Sequence, residues 1–238
     1  RVGREVGKDE LNIGDLVFSS VLFHQLHARW PGARLKVWCK EYTRDIAGLL
    51  PGSPRVFASD PYWHRSPGRG KGSRKNFFRT VRALRRERAD LAIVASRSWR
   101  AAAATAFLGA ARRIGYDGPK SRWFLTDRAA APGAGNETVV DELNRLLAPL
   151  FPPDPSARYR LEAEPLGRHR ETIARRRRER CGTDPYVVLH AFAGDPDRCM
   201  ALEEWVRVAR GIAERGCRPL WIGSPNELRC IRALGKKD

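Results

Sequence analysis

No stretch of this 238-residue chain is apolar for the ~18 residues that a membrane-spanning helix requires. The longest candidate, Ala101 to Ala111, is short, alanine-rich and followed by Arg112 and Arg113. The opening residues, RVGREVGKDE, contain no apolar core of a secretory leader, so the expected location is the cytoplasm. Cysteine is sparse and poorly spaced for metal. Cys39, Cys181, Cys199, Cys217 and Cys230 include no C-x-x-C pair and have no clustered histidines, which argues against a zinc site or a disulfide framework. Acidic residues are also few: 27 Asp and Glu stand against 45 Lys and Arg, a formal charge of +18. That excess names no partner by itself, because nucleic acid, anionic membrane and phosphorylated small molecules all attract positive charge. Disorder throughout is not expected, since 42% hydrophobic residues and seven Trp suffice for the core of one large domain or two small ones.

The positive charge is concentrated. Ten basic residues fall between Arg65 and Arg88 and seven between Arg168 and Arg180. Around these stretches, helical and extended patterns alternate. Phe18, Val21, Leu22 and Leu26 recur at helical spacing before Pro31-Gly32, and Leu35, Val37 and Cys39 alternate as in a strand. A short helix over Asp45 to Leu50 and a strand from Val56-Phe57 follow, then a polar loop over 64–75 that lacks periodicity. Phe77, Phe78, Val81 and Leu84 predict one apolar helix face, Leu91 to Val94 a buried strand, and Ala101 to Leu108 a helix. Further elements are expected as a strand at Trp123 to Leu125, a helix from about Glu137 to Leu150 and a strand at Tyr159 to Leu161. An arginine-rich helix at 168–180, a strand at Tyr186 to His190, a helix at about Leu202 to Arg215 and a strand at Pro219 to Ile222 complete the series. Such alternation implies parallel sheets of right-handed βαβ units. The cluster Pro149, Pro152, Pro153 and Pro155 suggests a boundary, giving a first lobe over 1–150, a linker over 151–158 and a second lobe over 159–238. That second lobe is expected to be incomplete, with some three strands against about 5–6 in a usual sheet.

Three places suggest chemistry. Asp15 follows Ile13-Gly14 at the start of the first helix, beside the positive end of its dipole, and either caps the helix or acts as a base. His190-Ala-Phe-Ala-Gly194-Asp-Pro-Asp-Arg198 runs from a strand through a small-residue loop toward a helix, where main-chain N–H groups and an arginine suit a diphosphate, or where an ordinary βα loop passes. Gly223-Ser-Pro-Asn-Glu227 follows the next strand, and Glu227 either accepts from a ribose or caps the last helix. GRGKGS near residue 70 lacks the spacing of a P-loop.

From about Lys8 onward the chain resembles glycosyltransferase family 9, the ADP-heptose:lipopolysaccharide heptosyltransferases. The resemblance is carried by Lys8-Asp-Glu-Leu-Asn-Ile-Gly-Asp-Leu-Val17 with Trp30-Pro-Gly-Ala33, by Asp90-Leu-Ala-Ile-Val94 with Arg113-Ile-Gly-Tyr-Asp117, and by His190 to Trp205 with Gly216 to Glu227. It implies a GT-B fold of two Rossmann-like, doubly wound lobes, the C-terminal one truncated. It implies inverting transfer of a heptose-type sugar from a nucleotide-sugar, ADP-heptose, to the lipopolysaccharide inner core, with neither metal nor cofactor. Asp15 then matches the general base, Arg198 and Gly194 the donor diphosphate loop, and Glu227 the residue that contacts the nucleoside. Arg69, Lys71, Arg74 and Lys75 stand where the family gathers positive charge against an anionic glycolipid acceptor. The arginine helix reads as a solvated face or a peripheral contact with the cytoplasmic face of the inner membrane.

Three departures accompany the resemblance: the apolar strand expected before Ile13 is the polar RVGREVGKDE, the usual Trp-Pro after Arg198 is Cys199-Met200-Ala201, and the closing donor residues are expected beyond Asp238. A basic nucleic-acid-binding protein is the rival reading, resting on charge alone, since no zinc-finger, RNP or basic-zipper pattern is present. An inactive remnant that binds without transferring is the third. No nucleic-acid partner is expected.

Overall fold

The computed structural model describes residues 13–63, 71–131, 133, 137–162, 167, 169–193 and 199–234. The chain divides into two compact units, Arg1–Pro165 and Leu166–Asp238.

In the first unit, α1 (Ile13–Arg29) leads into β1 (Lys36–Cys39), and after the short α2 (Arg44–Ala47) comes β2 (Arg55–Ala58). Next follow α3 (Arg74–Arg86), β3 (Leu91–Val94), α4 (Trp99–Leu108), β4 (Arg112–Tyr116), β5 (Asp127–Ala129) and α5 (Val139–Leu147). β1 and β2 pair in parallel, as do β3, β4 and β5 in that order. Leu22 of α1 meets Ile114 and Tyr116 of β4 and Leu143, Leu146 and Leu147 of α5, so one helix stripe and one sheet face close a common core. Each fully buried leucine there contributes roughly 1.5–3 kcal/mol of transfer free energy. Gly109 ends α4 in the left-handed region (φ +78°), where a Cβ is disfavoured. Thr138 and Asp141 exchange hydrogen bonds in a capping box that starts α5.

The structure changes four expectations for this unit. Phe77, Val81 and Leu84 are buried as predicted, but Phe78 is 58% exposed because it lies one residue, about 100°, round the helix from Phe77. Trp123 to Leu125 is not a strand: Ser121–Trp123 form a 3₁₀ turn with Trp123 exposed, held by Ser121 Oγ donating to the Tyr116 carbonyl (3.0 Å). The strand is instead β5, whose Asp-Arg-Ala carries no apolar alternation and is pinned by Arg112 donating twice to Asp127 (2.7 and 3.3 Å). Tyr159 to Leu161 is likewise not assigned to a strand.

Finally, the units divide after Pro165, later than the proline cluster suggests. Residues 151–162 strap across the first unit. Phe151 sits edge-on to Trp30 and Tyr159 to Phe18 (centroids 5.5 and 5.1 Å). The Arg160 N–H donates to Ser20 Oγ (2.8 Å) and the Glu162 N–H to the Leu49 carbonyl (2.7 Å). Asp154 N–H donates to Gln25 Oε1 (2.8 Å), and Gln25 Nε2 to Asn144 Oδ1 (2.8 Å), in a buried polar knot joining α1, α5 and the strap.

The second unit contains α6 (Arg170–Cys181), β6 (Tyr186–Leu189), α7 (Leu202–Glu214), β7 (Arg218–Trp221) and α8 (Pro225–Leu234), with β6 and β7 parallel. Trp205 of α7 packs edge-on to Trp221 of β7 (6.3 Å). Among the described residues of this unit the buried hydrophobic ones are Cys181, Leu189 and Ala191, while Tyr186, Val187 and Val188 of β6 are exposed. Arginines 175–178 of α6 are all exposed, as is Ile173 on the same helix.

Candidate active site

A helix that feeds a parallel strand runs back along the sheet, so its N-terminus lies over the strands' carboxyl ends, where α/β proteins bind ligands. α1 obeys this geometry: Leu16, in its first turn, is buried against Val37 and Cys39 of β1 together with Ala47 and Leu50. The adjacent Asp15 is exposed in that first turn. The buried neighbour thus anchors the turn, and Asp15 lies beside it at the rim.

The loops that leave β1, β2, β3 and β4 reach the same rim. Lys40, the first residue after β1, is only 6% exposed, with its ammonium 5.9 Å from the Tyr42 ring centroid. Its carbonyl accepts from Thr43 Oγ1 (3.0 Å), which fixes the turn. Cys39 beside it has its thiol pKa pushed up, burial being the main cause. After β2, the Asp60 carboxylate accepts from the Glu41 N–H (3.2 Å). Tyr62, Trp63 and Phe77 form an edge-to-face cluster, and the Arg74 guanidinium lies 5.4 Å from the Tyr62 centroid. Lys71 precedes α3 and is exposed, whereas Arg74 and Lys75 lie in the first turn of α3 and not in the loop expected for them. Two cations at a helix N-terminus oppose the dipole, so an anion bound there gains from both charges and main-chain N–H groups. Arg69 lies outside the described residues.

β3 leads into Ser96-Arg97-Ser98, with Arg97 exposed, and β4 into Asp117, which is ion-paired with Arg122 and Arg128 (3.6 and 3.8 Å). Tyr116 at the end of β4 donates its hydroxyl to the Glu142 carbonyl (3.1 Å), and burial drives its pKa well above the ordinary tyrosine range, so it is a structural donor. Sequence reasoning missed Lys40 and Arg97, because single cations after short strands carry no pattern. Their signal is their place immediately after β1 and shortly after β3.

In the second unit the loop after β6 is closed at its base. The Ala193 N–H donates to Cys199 Sγ (3.2 Å), so the residues that departed from the family pattern still bring the two ends of this loop together. Gly194 and Arg198 lie within it, outside the described residues. Glu227 caps α8: its Oε2 accepts from the Ser224 N–H (2.6 Å), and its own N–H donates to Ser224 Oγ (3.4 Å). Of the two roles open to Glu227, the cap is the one the structure displays. The Ser224 main-chain bond is the largest cause holding this carboxyl below the usual range, with the Ser224 side chain and the His190 charge adding to it. Since its folded pKa is depressed, Glu227 contributes stability above the ordinary glutamate value of ~4.3, and that contribution fades as pH falls through the lower folded value. Carboxyl-carbon NMR titration is expected to show a midpoint below that of a model glutamate, and an ordinary midpoint would mean the cap does not persist in solution. Among the described residues no group of three or more His, Cys, Asp or Glu gathers to hold a metal. Among them, too, no helix is long and apolar enough to cross a membrane.

What these observations define is an α/β protein of two units, each built on parallel strands, with loops that carry polar and charged residues leaving the carboxyl ends of those strands. The family model of glycosyltransferase family 9 (heptosyltransferase) matches residues 77–237, and the chain belongs to that family. Among solved structures it is similar to a glycosyl transferase family 9 protein from Veillonella parvula DSM 2008, with TM-score 0.76 and 16% identity over 98% of this chain and 67% of that one. It is similar also to E. coli ADP-heptose LPS heptosyltransferase II (TM-score 0.69, 18% identity, 93% of this chain and 64% of that one). A third similar structure is E. coli heptosyltransferase WaaC with ADP (TM-score 0.65, 17% identity, 92% and 66%). The parallel α/β units are therefore of the GT-B type, and the chain spans about two thirds of the length of these relatives. No curated protein matches it significantly.

Proposed function

We propose that this protein transfers a heptose-type sugar, with inversion and without a metal, from a nucleotide-sugar to the anionic inner core of lipopolysaccharide. The observation that carries the proposal is the exposed carboxylate of Asp15 in the first turn of α1, at the carboxyl rim, in a chain of the heptosyltransferase family. In this reading Asp15 removes the proton from an acceptor hydroxyl. The freed oxygen forms a bond to the anomeric carbon from the face opposite the leaving group, and the nucleoside diphosphate departs with the electron pair of the broken bond. Lys71, Arg74 and Lys75 hold acidic groups of the acceptor, together with Arg69. The second unit takes the donor through the His190–Cys199 loop, with Gly194 and Arg198 as residues for the diphosphate, and through Glu227 for the nucleoside. ADP is the favoured nucleotide, because two of the similar structures carry ADP or ADP-heptose in their descriptions. The site of action is the cytoplasmic face of the inner membrane, with the arginine helix α6 as the peripheral contact.

The test is a thermal-shift series with ADP-, UDP- and GDP-sugars. A ligand at 100 times its Kd stabilises the state it binds by about 2.7 kcal/mol. An ADP-sugar is expected to raise Tm while GDP-sugars leave it unmoved; no shift with any of them would overturn the donor assignment.

A further inference from the structure

Helices cover the strands of the first unit on two sides, and the two coverings differ in charge. Successive strand residues point to opposite faces. In β1, Val37 and Cys39 pack with Leu16 of α1 and Ala47 of α2, while Trp38 packs against Phe77 of α3. In β3, Ile93 packs with the α1 and α5 core and Val94 with Ala102 of α4. α1, α2 and α5 therefore lie on one side and α3 and α4 on the other. The first group contains three Arg against four Asp and Glu. α3, α4 and the 3₁₀ turn at Ser121–Trp123 contain eight Arg and Lys and no Asp or Glu. Glu87, just past α3, is already engaged by Lys36 and Arg55 (3.7 and 2.6 Å).

The outer surface of this second group is ordered. At about 100° per residue, Lys75, Arg79, Arg82 and Arg86 make one stripe of α3, and Arg74, Phe78 and Arg85 widen it to an arc of about 140°. All seven are exposed. The consecutive arginines 175–178 of α6 are instead spread round their helix. Beside α3, α4 is uncharged after Arg100, and its Phe107 is 60% exposed. At the start of α4, Trp99 stacks on Phe124 (6.4 Å), and the neighbouring turn holds Trp123 81% exposed, the most exposed tryptophan among the described residues. A cationic stripe beside an apolar strip with protruding rings matches a bilayer interface, where Lys and Arg meet anionic headgroups and Trp and Phe sit at the acyl boundary. Nucleic acid would use the charge but not the apolar strip, and Trp99, already stacked on Phe124, adds no free ring to a row for successive bases.

We propose that the α3–α4 side of the first unit is a docking surface for an anionic lipid bilayer, additional to α6 and stronger than it. The stripe of α3 lies along the headgroups, and Phe78, Phe107 and Trp123 enter the interface. The argument rests on charge and exposed rings, not on sugar transfer. Vesicle binding and the thermal shift with nucleotide-sugars are separate readouts, so either reading can fail alone.

The test is sedimentation of the whole chain with vesicles of phosphatidylcholine containing one third phosphatidylglycerol, against vesicles of phosphatidylcholine alone, at near-physiological salt. The anionic vesicles are expected to bind the protein and the neutral ones to leave it in solution. Replacing Arg79, Arg82 and Arg86 together by Ser is expected to weaken binding by at least about tenfold, and to do so more than replacing Arg175, Arg176 and Arg177 together by Ser. With brominated lipid in the anionic vesicles, tryptophan emission of the unsubstituted protein is expected to be quenched, and Trp123→Phe to lose most of that quenching while still binding. Equal binding to both vesicles, a loss with the α6 variant as large as with the α3 variant, or quenching unmoved by Trp123→Phe would each overturn the proposal. Retention of duplex DNA with no binding to vesicles would overturn it in favour of a nucleic-acid partner. The quenching arm keeps every arginine in place, so poor folding of the α3 variant leaves it decisive.

Discussion

Asp15→Asn is expected to lower the rate of sugar transfer by about 10²–10⁴-fold, the usual contribution of a general base, while the affinity for nucleotide-sugar stays within twofold. The substitution separates the two roles open to this residue. Asparagine is as good at a helix N-terminus as aspartate, so a residue that only caps α1 tolerates the change in stability and in rate alike. A base does not, because the amide has no lone pair of useful basicity. Steady-state release of nucleoside diphosphate from the intact protein, with donor binding measured in parallel, gives the answer. Unchanged turnover would remove Asp15 from the chemistry and leave it as part of α1's first turn. The expectation is credible because Leu16, buried against Val37 and Cys39, holds that turn independently of residue 15.

Gln25→Ala is expected to destabilise the first unit by about 2–4 kcal/mol, combining the orphaned polar partners with the cavity left behind. Gln25 is 6% exposed and satisfies both Asn144 of α5 and the Asp154 N–H of the strap. The orphaned groups are an amide carbonyl and a main-chain N–H, and Asn144 Nδ2 reaches only the Asp154 carbonyl, at 3.4 Å. Urea denaturation should show the loss, and the Gln25→Leu, Asn144→Leu pair should cost less than the sum of the two singles, since removing both ends of a buried hydrogen bond leaves fewer unsatisfied groups. Additive losses would mean that the knot is not coupled. The same knot carries functional weight: it holds α1 in place, and Asp15 is in the first turn of that helix.

Much of the helical pattern was legible because it is local. The 3.6-residue stripe of α1, the 77–84 face of α3, the alternation of β1 and the apolar runs of β3 and β6 each declare themselves within a dozen residues. β5 was not legible, since Asp-Arg-Ala becomes a strand only through pairing with β4 and the Arg112–Asp127 bridge. The strap was not legible either. A proline-rich segment reads as a linker until aromatic contacts such as Phe18–Tyr159 fasten it. Among the candidate residues, motif and charge single out Asp15 and Lys71, and both are exposed. Arg74 and Lys75 were misplaced by a few residues, because a basic loop and a basic first helical turn have the same composition. Lys40 and Arg97 needed the topology, which brings four separate loops to one rim.

The sequence by itself determined the parallel α/β class, the two basic stretches, the family and the residue types available for transfer. The tertiary structure decided which of them share the rim of the first unit, that Glu227 is engaged as a cap and that residues 151–162 belong to the first unit. The division follows from range. Periodicity and turn chemistry act over a few residues and survive in the linear chain, whereas contacts such as Gln25–Asn144 and Ser20–Arg160 join residues more than a hundred apart and exist only once helices and strands have packed.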